Sequence, residues 1–184
     1  MFLLQDIPKY EVIRECSSRY PDVDPSSLAV GLVLLRVASD LLSGMEGYYA
    51  EHGLSQGRFT VLMLLNREPD ASMSPSDLAE RSGVSRATMT GLLDGLERDG
   101  LIDRRASSED RRMQRVSLSE RGRTRLQDML PEYFRRKTRV MSALDEADRM
   151  RLLGLLESLM DGVKRFNEGE GAIERVGGRA QGDS

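Results

Sequence analysis

Residues 74–118 read SPSDLAERSGVSRATMTGLLDGLERDGLIDRRASSEDRRMQRVSL. Ser74 suits a helix N-cap, Pro75 the first helical position and Asp77 the third, a capping-box-like start. Gly83 stops that helix after two turns, and Ser85 caps a new one at once. In the second helix Met89, Leu92, Leu93 and Leu96 fall at i, i+3, i+4 and i+7, a single apolar stripe. Gly100 ends it. LIDRRA and MQRVSL then read as two short strands around the polar loop SSEDRR. Helix, tight glycine turn, helix and β-hairpin in that order make a winged helix-turn-helix.

The side of the second helix opposite the stripe carries Arg86, Ala87, Thr90, Gly91 and Asp94. A face this small and polar fits a major groove about 12 Å wide. The unpaired amides near Ser85 and Arg86 suit a phosphate, and the Thr88 and Thr90 hydroxyls reach phosphate or base edges. The hairpin tip offers Arg111 and Arg112 to a minor groove. Asp110 would repel phosphate, so it is expected to brace an arginine of the wing. A helical hairpin packed in a core, or a wing tip that is only a solvated charged turn, are the alternatives. Neither explains why an arginine-rich hairpin directly follows a small exposed face.

Outward from this unit the chain is helical. Residues 7–19 suit a short helix. Asp24-Pro25 opens a long one carrying Leu28, Leu32, Leu35, Leu42, Met45 and Tyr49 to about residue 51, about 40 Å in length. Ser55 opens another, ending before Glu68. Ser119 caps a helix running towards Leu144, with a kink or break expected at Pro131. Asp145 caps a last helix with Met150, Leu153, Leu156, Met160 and Val163 on one face. Residues 167–184 hold five glycines and read as a disordered tail. The expectation is a mainly α fold with a small β-hairpin wing, one domain over 1–166. Within it 7–52 and 119–166 form a helical lobe, and 55–118 the winged helix-turn-helix. The flanking helices are too long to be covered by one small core, which points to a homodimer.

Composition removes other classes. The net charge is −3, yet 24 of the 27 basic residues are arginine. Eight of them lie between Arg104 and Arg125 against Glu109, Asp110 and Glu120, a local +5 inside an acidic chain. One cysteine and one histidine leave no multi-thiolate or histidine-based metal site, and no nucleophile with a plausible base. Neither an enzyme nor a cofactor is expected. The longest apolar run, Leu28 to Leu35, is too short to span a bilayer. The opening MFLLQDIPK lacks the pattern of a signal peptide, so a cytoplasmic location is expected. Two functions remain: a DNA-binding regulator, and a winged-helix module that docks a protein.

The stretch from about Gly53 to Leu126 resembles the MarR family of bacterial transcription regulators. The residues that carry the likeness are GLSQGRFTVLMLL, then SPSDLAERSGVSRATMTGLLDGLERDGLIDRR, then SSEDRRMQRVSLSERG. The last contains Asp110, Arg112, Leu118 and Ser119 in the family's wing pattern. The resemblance implies an obligate homodimer, a pseudo-palindromic site in double-stranded DNA, repression of nearby genes, and a pocket for an aromatic or phenolic acid between the two lobes. It places Arg86, Thr88 and Thr90 on the groove-reading helix, and Arg111 and Arg112 on the wing. Gly91 stands where many members carry a larger polar residue. The segment before Asp24 is similar to a branch with an added N-terminal helix, whose urate-responsive members use a tryptophan. This chain has none, so urate is not expected. The crevice expected between the lobes would be lined by Tyr48 and Tyr49 as a stacking wall and Arg58 as a carboxylate partner. Cys16 is expected to be a semi-buried structural residue, with redox sensing as the alternative. His52 sits where a helix dipole favours a cation.

Overall fold

A computed structural model describes residues 6–67, 72–106 and 114–177, with side chains to residue 168. The elements are α1 (Tyr10–Ser17), α2 (Pro25–Glu51), α3 (Gln56–Leu65), α4 (Pro75–Ser82), α5 (Arg86–Arg98), β1 (Ile102–Ala106), β2 (Gln114–Leu118), α6 (Glu120–Met141) and α7 (Glu146–Gly177).

Side-chain caps set where the helices after α1 begin. One Asp24 carboxylate oxygen accepts the Ser27 amide at 2.7 Å and the Ser26 and Ser27 hydroxyls at 2.6 Å each. Ser74 and Asp77 complete the reciprocal box ahead of α4. Ser85 Oγ accepts the Thr88 amide at 3.1 Å, and Asp145 accepts from Asp148 at 2.8 Å. Gly83 and Gly100 both take φ +67°, the left-handed region that costs other residues strain.

The chain forms two compact units, 1–129 and 130–184. The core of the first gathers Val61, Leu62 and Leu65 of α3, Leu78 of α4, Met89, Leu93 and Leu96 of α5, Val116 of β2, and Leu126 and Met129 of α6. Each such side chain contributes about 2 kcal/mol of burial free energy. Tyr48 and Tyr49 at the end of α2 are buried in the same unit. The unit boundary therefore falls inside α6, not between a lobe at 7–52 and a winged region at 55–118 as expected: the end of α2 and the start of α6 serve the winged core.

β1 pairs antiparallel with β2, Ile102 opposite Leu118 and Ala106 opposite Gln114. Met73 adds a one-residue bridge to Val116 through bonds of 2.9 and 2.8 Å. A single paired residue has no alternation to read, so the hairpin alone was legible.

Three expectations need correction. Of the kink or break expected at Pro131, the break does not occur, and α6 continues to Met141; the amide bond lost would have reached Gln127, and both residues are exposed, so water can serve that carbonyl. α7 continues to Gly177, so 167–177 is not a disordered stretch. Extending an existing helix costs far less than nucleating one, even through glycines. Residues 178–184 lie outside the described residues. Cys16 is exposed on α1, while Ile13 and Ser17 are the buried residues of that helix.

Candidate nucleic-acid interface

α5 carries the feature. Met89, Leu93 and Leu96 are buried, while Arg86, Ala87, Thr88, Thr90, Gly91 and Asp94 are all exposed, as the stripe predicts. Ser85 takes the Thr88 amide, and Met89 makes the first backbone bond back to Ser85. The amides of Arg86 and Ala87 precede that bond and point out of the helix end, a seat for phosphate. The Thr90 hydroxyl donates to the Arg86 carbonyl at 3.0 Å. In that rotamer it presents lone pairs outward, which suits a base amino group better than a phosphate. Thr88 and Ser85 hydroxyls lie 2.9 Å apart and share one hydrogen bond.

Two guanidiniums hold this helix. Arg104 of β1, only 15% exposed in its side chain, places Nη2 2.5 Å from Asp94 Oδ1, and Nε 3.1 Å from Glu97 Oε2. The second contact is a charge contact, since Nε is not aligned on any hydrogen-bond acceptor. Arg58 of α3, 19% exposed, donates Nη1 to the Gly53 carbonyl at 3.3 Å and Nη2 to the Gly95 carbonyl at 3.2 Å, and also binds the Asp99 carboxylate. The Arg58 bond, then its charge, holds the Asp99 carboxyl below the usual carboxylate range. A guanidinium is tolerated at such burial only where it is paired.

A family model described as MarR family matches residues 54–113. The transcriptional repressor YetL of Bacillus subtilis (strain 168) is 38% identical over 165 residues, covering 90% of this chain and 99% of YetL. The chain belongs to the MarR family. Among solved structures the transcriptional regulator PA4135 has a TM-score of 0.62 at 28% identity, covering 71% of this chain and 95% of that one. The S. aureus MepR–DNA complex reaches 0.67 at 16% identity, covering 72% and 96%, a likeness of fold. As a MarR-family member the protein is a DNA-binding transcriptional regulator and not an enzyme.

Arg111, Arg112 and Asp110 lie outside the described residues. Tyr48 and Tyr49 are buried, and the polar groups of Tyr48 and Arg58 are engaged. Tyr48 is 2% exposed and its hydroxyl donates to the Met129 carbonyl at 2.5 Å. Tyr49 lies against Phe59, ring centroids 4.9 Å apart. Arg58 is the α5 brace. Tyr48 and Tyr49 thus pack in the core, and Arg58 is held on the protein's own groups. Among the described residues a cavity of about 220 Å³ opens elsewhere, at the base of the wing beside Leu64, Met73 and Arg115. His52 stacks edge-on against Tyr48 at 4.9 Å.

Proposed function

We propose that the protein is a homodimeric, cytoplasmic repressor that binds a pseudo-palindromic site in double-stranded DNA. Ser85, Arg86, Thr88 and Thr90 meet the major groove; Arg111 and Arg112 enter the minor groove, with Asp110 as their brace. An aromatic or phenolic acid lowers the affinity for DNA.

The outer face of α5 carries this reading: small, polar, capped by Ser85 and headed by Arg86, on a helix whose other side is buried. The dimer is supported by apolar surface. On α2, Leu28, Val30, Val33, Leu35, Val37 and Leu42 are each 46–55% exposed. On α7, Met150, Leu153, Leu155, Met160 and Val163 are 48–65% exposed. Apolar surface of this extent needs a partner, and a second copy supplies it on both. Two recognition helices related by a twofold axis enter successive major grooves, so half-site centres lie about 10 bp apart. Repression is supported by the name of YetL. Release by an acid follows from the family resemblance and does not depend on Tyr48, Tyr49 or Arg58.

Selection of bound fragments from the source genome tests the DNA reading. Enrichment of an inverted repeat is expected; recovery of no common sequence would overturn it. Titration of salicylate-like and larger phenolic acids against that complex tests release. A second reading, release through oxidation at Cys16, is favoured by the exposure of that thiol on α1. Release by peroxide, lost in Cys16→Ser, with no response to millimolar phenolic acids would select it.

A further inference from the structure

We propose that Arg104 and Arg58 are positioning residues for DNA reading, which fix the rotation and pitch of α5. This rests on the DNA-reading role of α5 above. The buried seam of that helix, Met89, Leu93 and Leu96, is apolar. Burial of that seam sets the rotation of α5 only coarsely, because apolar contact is not directional and leaves small turns about the axis inexpensive. The directional contacts come from the two guanidiniums. Arg104 takes Asp94, with the Glu97 charge beside it, and Arg58 takes the Gly95 carbonyl and Asp99. At 3.6 residues per turn these two pairs of positions lie roughly 150° apart around the helix, one on each flank of the buried seam. One grip comes from β1, the strand that leads into the wing, and the other from α3. Together they fix α5 against both of its neighbours, so a reading face of short side chains meets the groove at one angle.

The charge of Asp94 is the second argument. It stands on the exposed side with Arg86 and Thr90, where a carboxylate repels phosphate. Its contact with Arg104 gives it a use that outweighs that cost.

The test has opposed signs. Removing a negative charge beside DNA, as in Asp94→Asn, raises affinity for any duplex if charge alone matters. If Asp94 holds Arg104, the same change weakens binding to the selected sequence. The full chain and its variants are titrated with a genome-selected duplex and a scrambled duplex of equal length at one salt concentration. Asp94→Asn is expected to bind the selected duplex about tenfold more weakly, with the scrambled duplex unchanged or tighter. Asp99→Asn gives the same pattern through the other grip. Arg104→Gln with Asp94→Asn should cost no more than the worse single change, since the pair acts as one unit. Selected-duplex binding that is equal or tighter in Asp94→Asn overturns the proposal. So does an equal loss on both duplexes in Arg104→Gln with the salt slope falling by about one, the mark of a plain phosphate contact. Should Asp94→Asn fail to fold, Glu97→Gln loosens the same grip and decides by the same two affinities. A wild-type protein that does not prefer the selected duplex defeats the DNA reading itself, and this inference with it.

Discussion

At Asp24 three donors converge on one carboxylate oxygen, and the hydroxyls of Ser26 and Ser27 are the chief cause of a pKa pulled from 3.8 down to about 2. A carboxyl depressed in the folded state stabilises it fully above its ordinary value, and the benefit is lost as pH falls from about 4 towards 2. Asp24→Ala should therefore lower Tm by about 2–4 °C at pH 7, with the gap from wild type closing at pH 2, read by circular dichroism. At the other end of the argument stands Arg86, exposed at the head of α5. Arg86→Ala should leave Tm unchanged and weaken DNA binding by about 1–3 kcal/mol in a mobility shift. Both residues were legible, because a cap and an exposed arginine are local features. Arg104 was not singled out among eight neighbouring arginines, yet a signal existed. Strand alternation puts it on the same side of β1 as buried Ile102, opposite Val116, and an arginine facing inward needs an acidic partner. Arg58 was noticed for its charge, but its contact with Asp99 was not legible, since Asp99 is 41 residues away in the chain and only folding brings them together.

Among the elements, the start of α6 is fixed to the turn after α5 with little slack. Ser119 Oγ donates to the Gly100 carbonyl at 2.7 Å and accepts the Gly122 amide at 3.0 Å. A Cβ on Gly122 would lie 2.0 Å from the Leu101 carbonyl oxygen, a distance no side chain tolerates. Gly122→Ala must push α6 off the winged core and should cost about 1–3 kcal/mol or more in urea unfolding. A chemical midpoint equal to wild type would show that α6 does not seat there. Helix starts from α2 onward were readable, because each cap there is a short side chain speaking to an amide three residues on; α1, headed by Lys9, has no such cap. The close approach at Gly122 was not, because the sequence of α6 holds no trace of the carbonyl it must clear.

For the whole molecule, α2 and α7 expose the apolar surface on which the proposed dimer rests. A window of α2 reaches a mean hydropathy of 1.7, long and apolar enough to cross a membrane by length and composition alone. The eight-residue run considered in the sequence understates this, because small residues continue the apolar character past Arg36. That arginine pairs with Asp40 at 2.7 Å one turn on. We attribute the surface to dimerisation. Sedimentation should give a dimer at micromolar concentration without detergent, and Leu35→Arg should shift it towards monomer and lose operator binding together. A monodisperse folded monomer of the wild type would refute the attribution. Wild-type affinity for the operator should also fall steeply between low and physiological salt, as phosphate contacts release counterions.

The grips on α5 all fall between Asp94 and Asp99, while the side chains of Arg86, Ala87, Thr90 and Gly91 lie exposed, outside the buried core. Stability and vocabulary are thus written on different lengths of one helix. Around the buried Met89 and the Ser85 cap, those four outward positions are free to drift, so duplicated copies of this gene can acquire new addresses in a genome without passing through an unfolded ancestor. A library randomised at those four positions should stay folded in most members and yield readers of new sequences by selection alone.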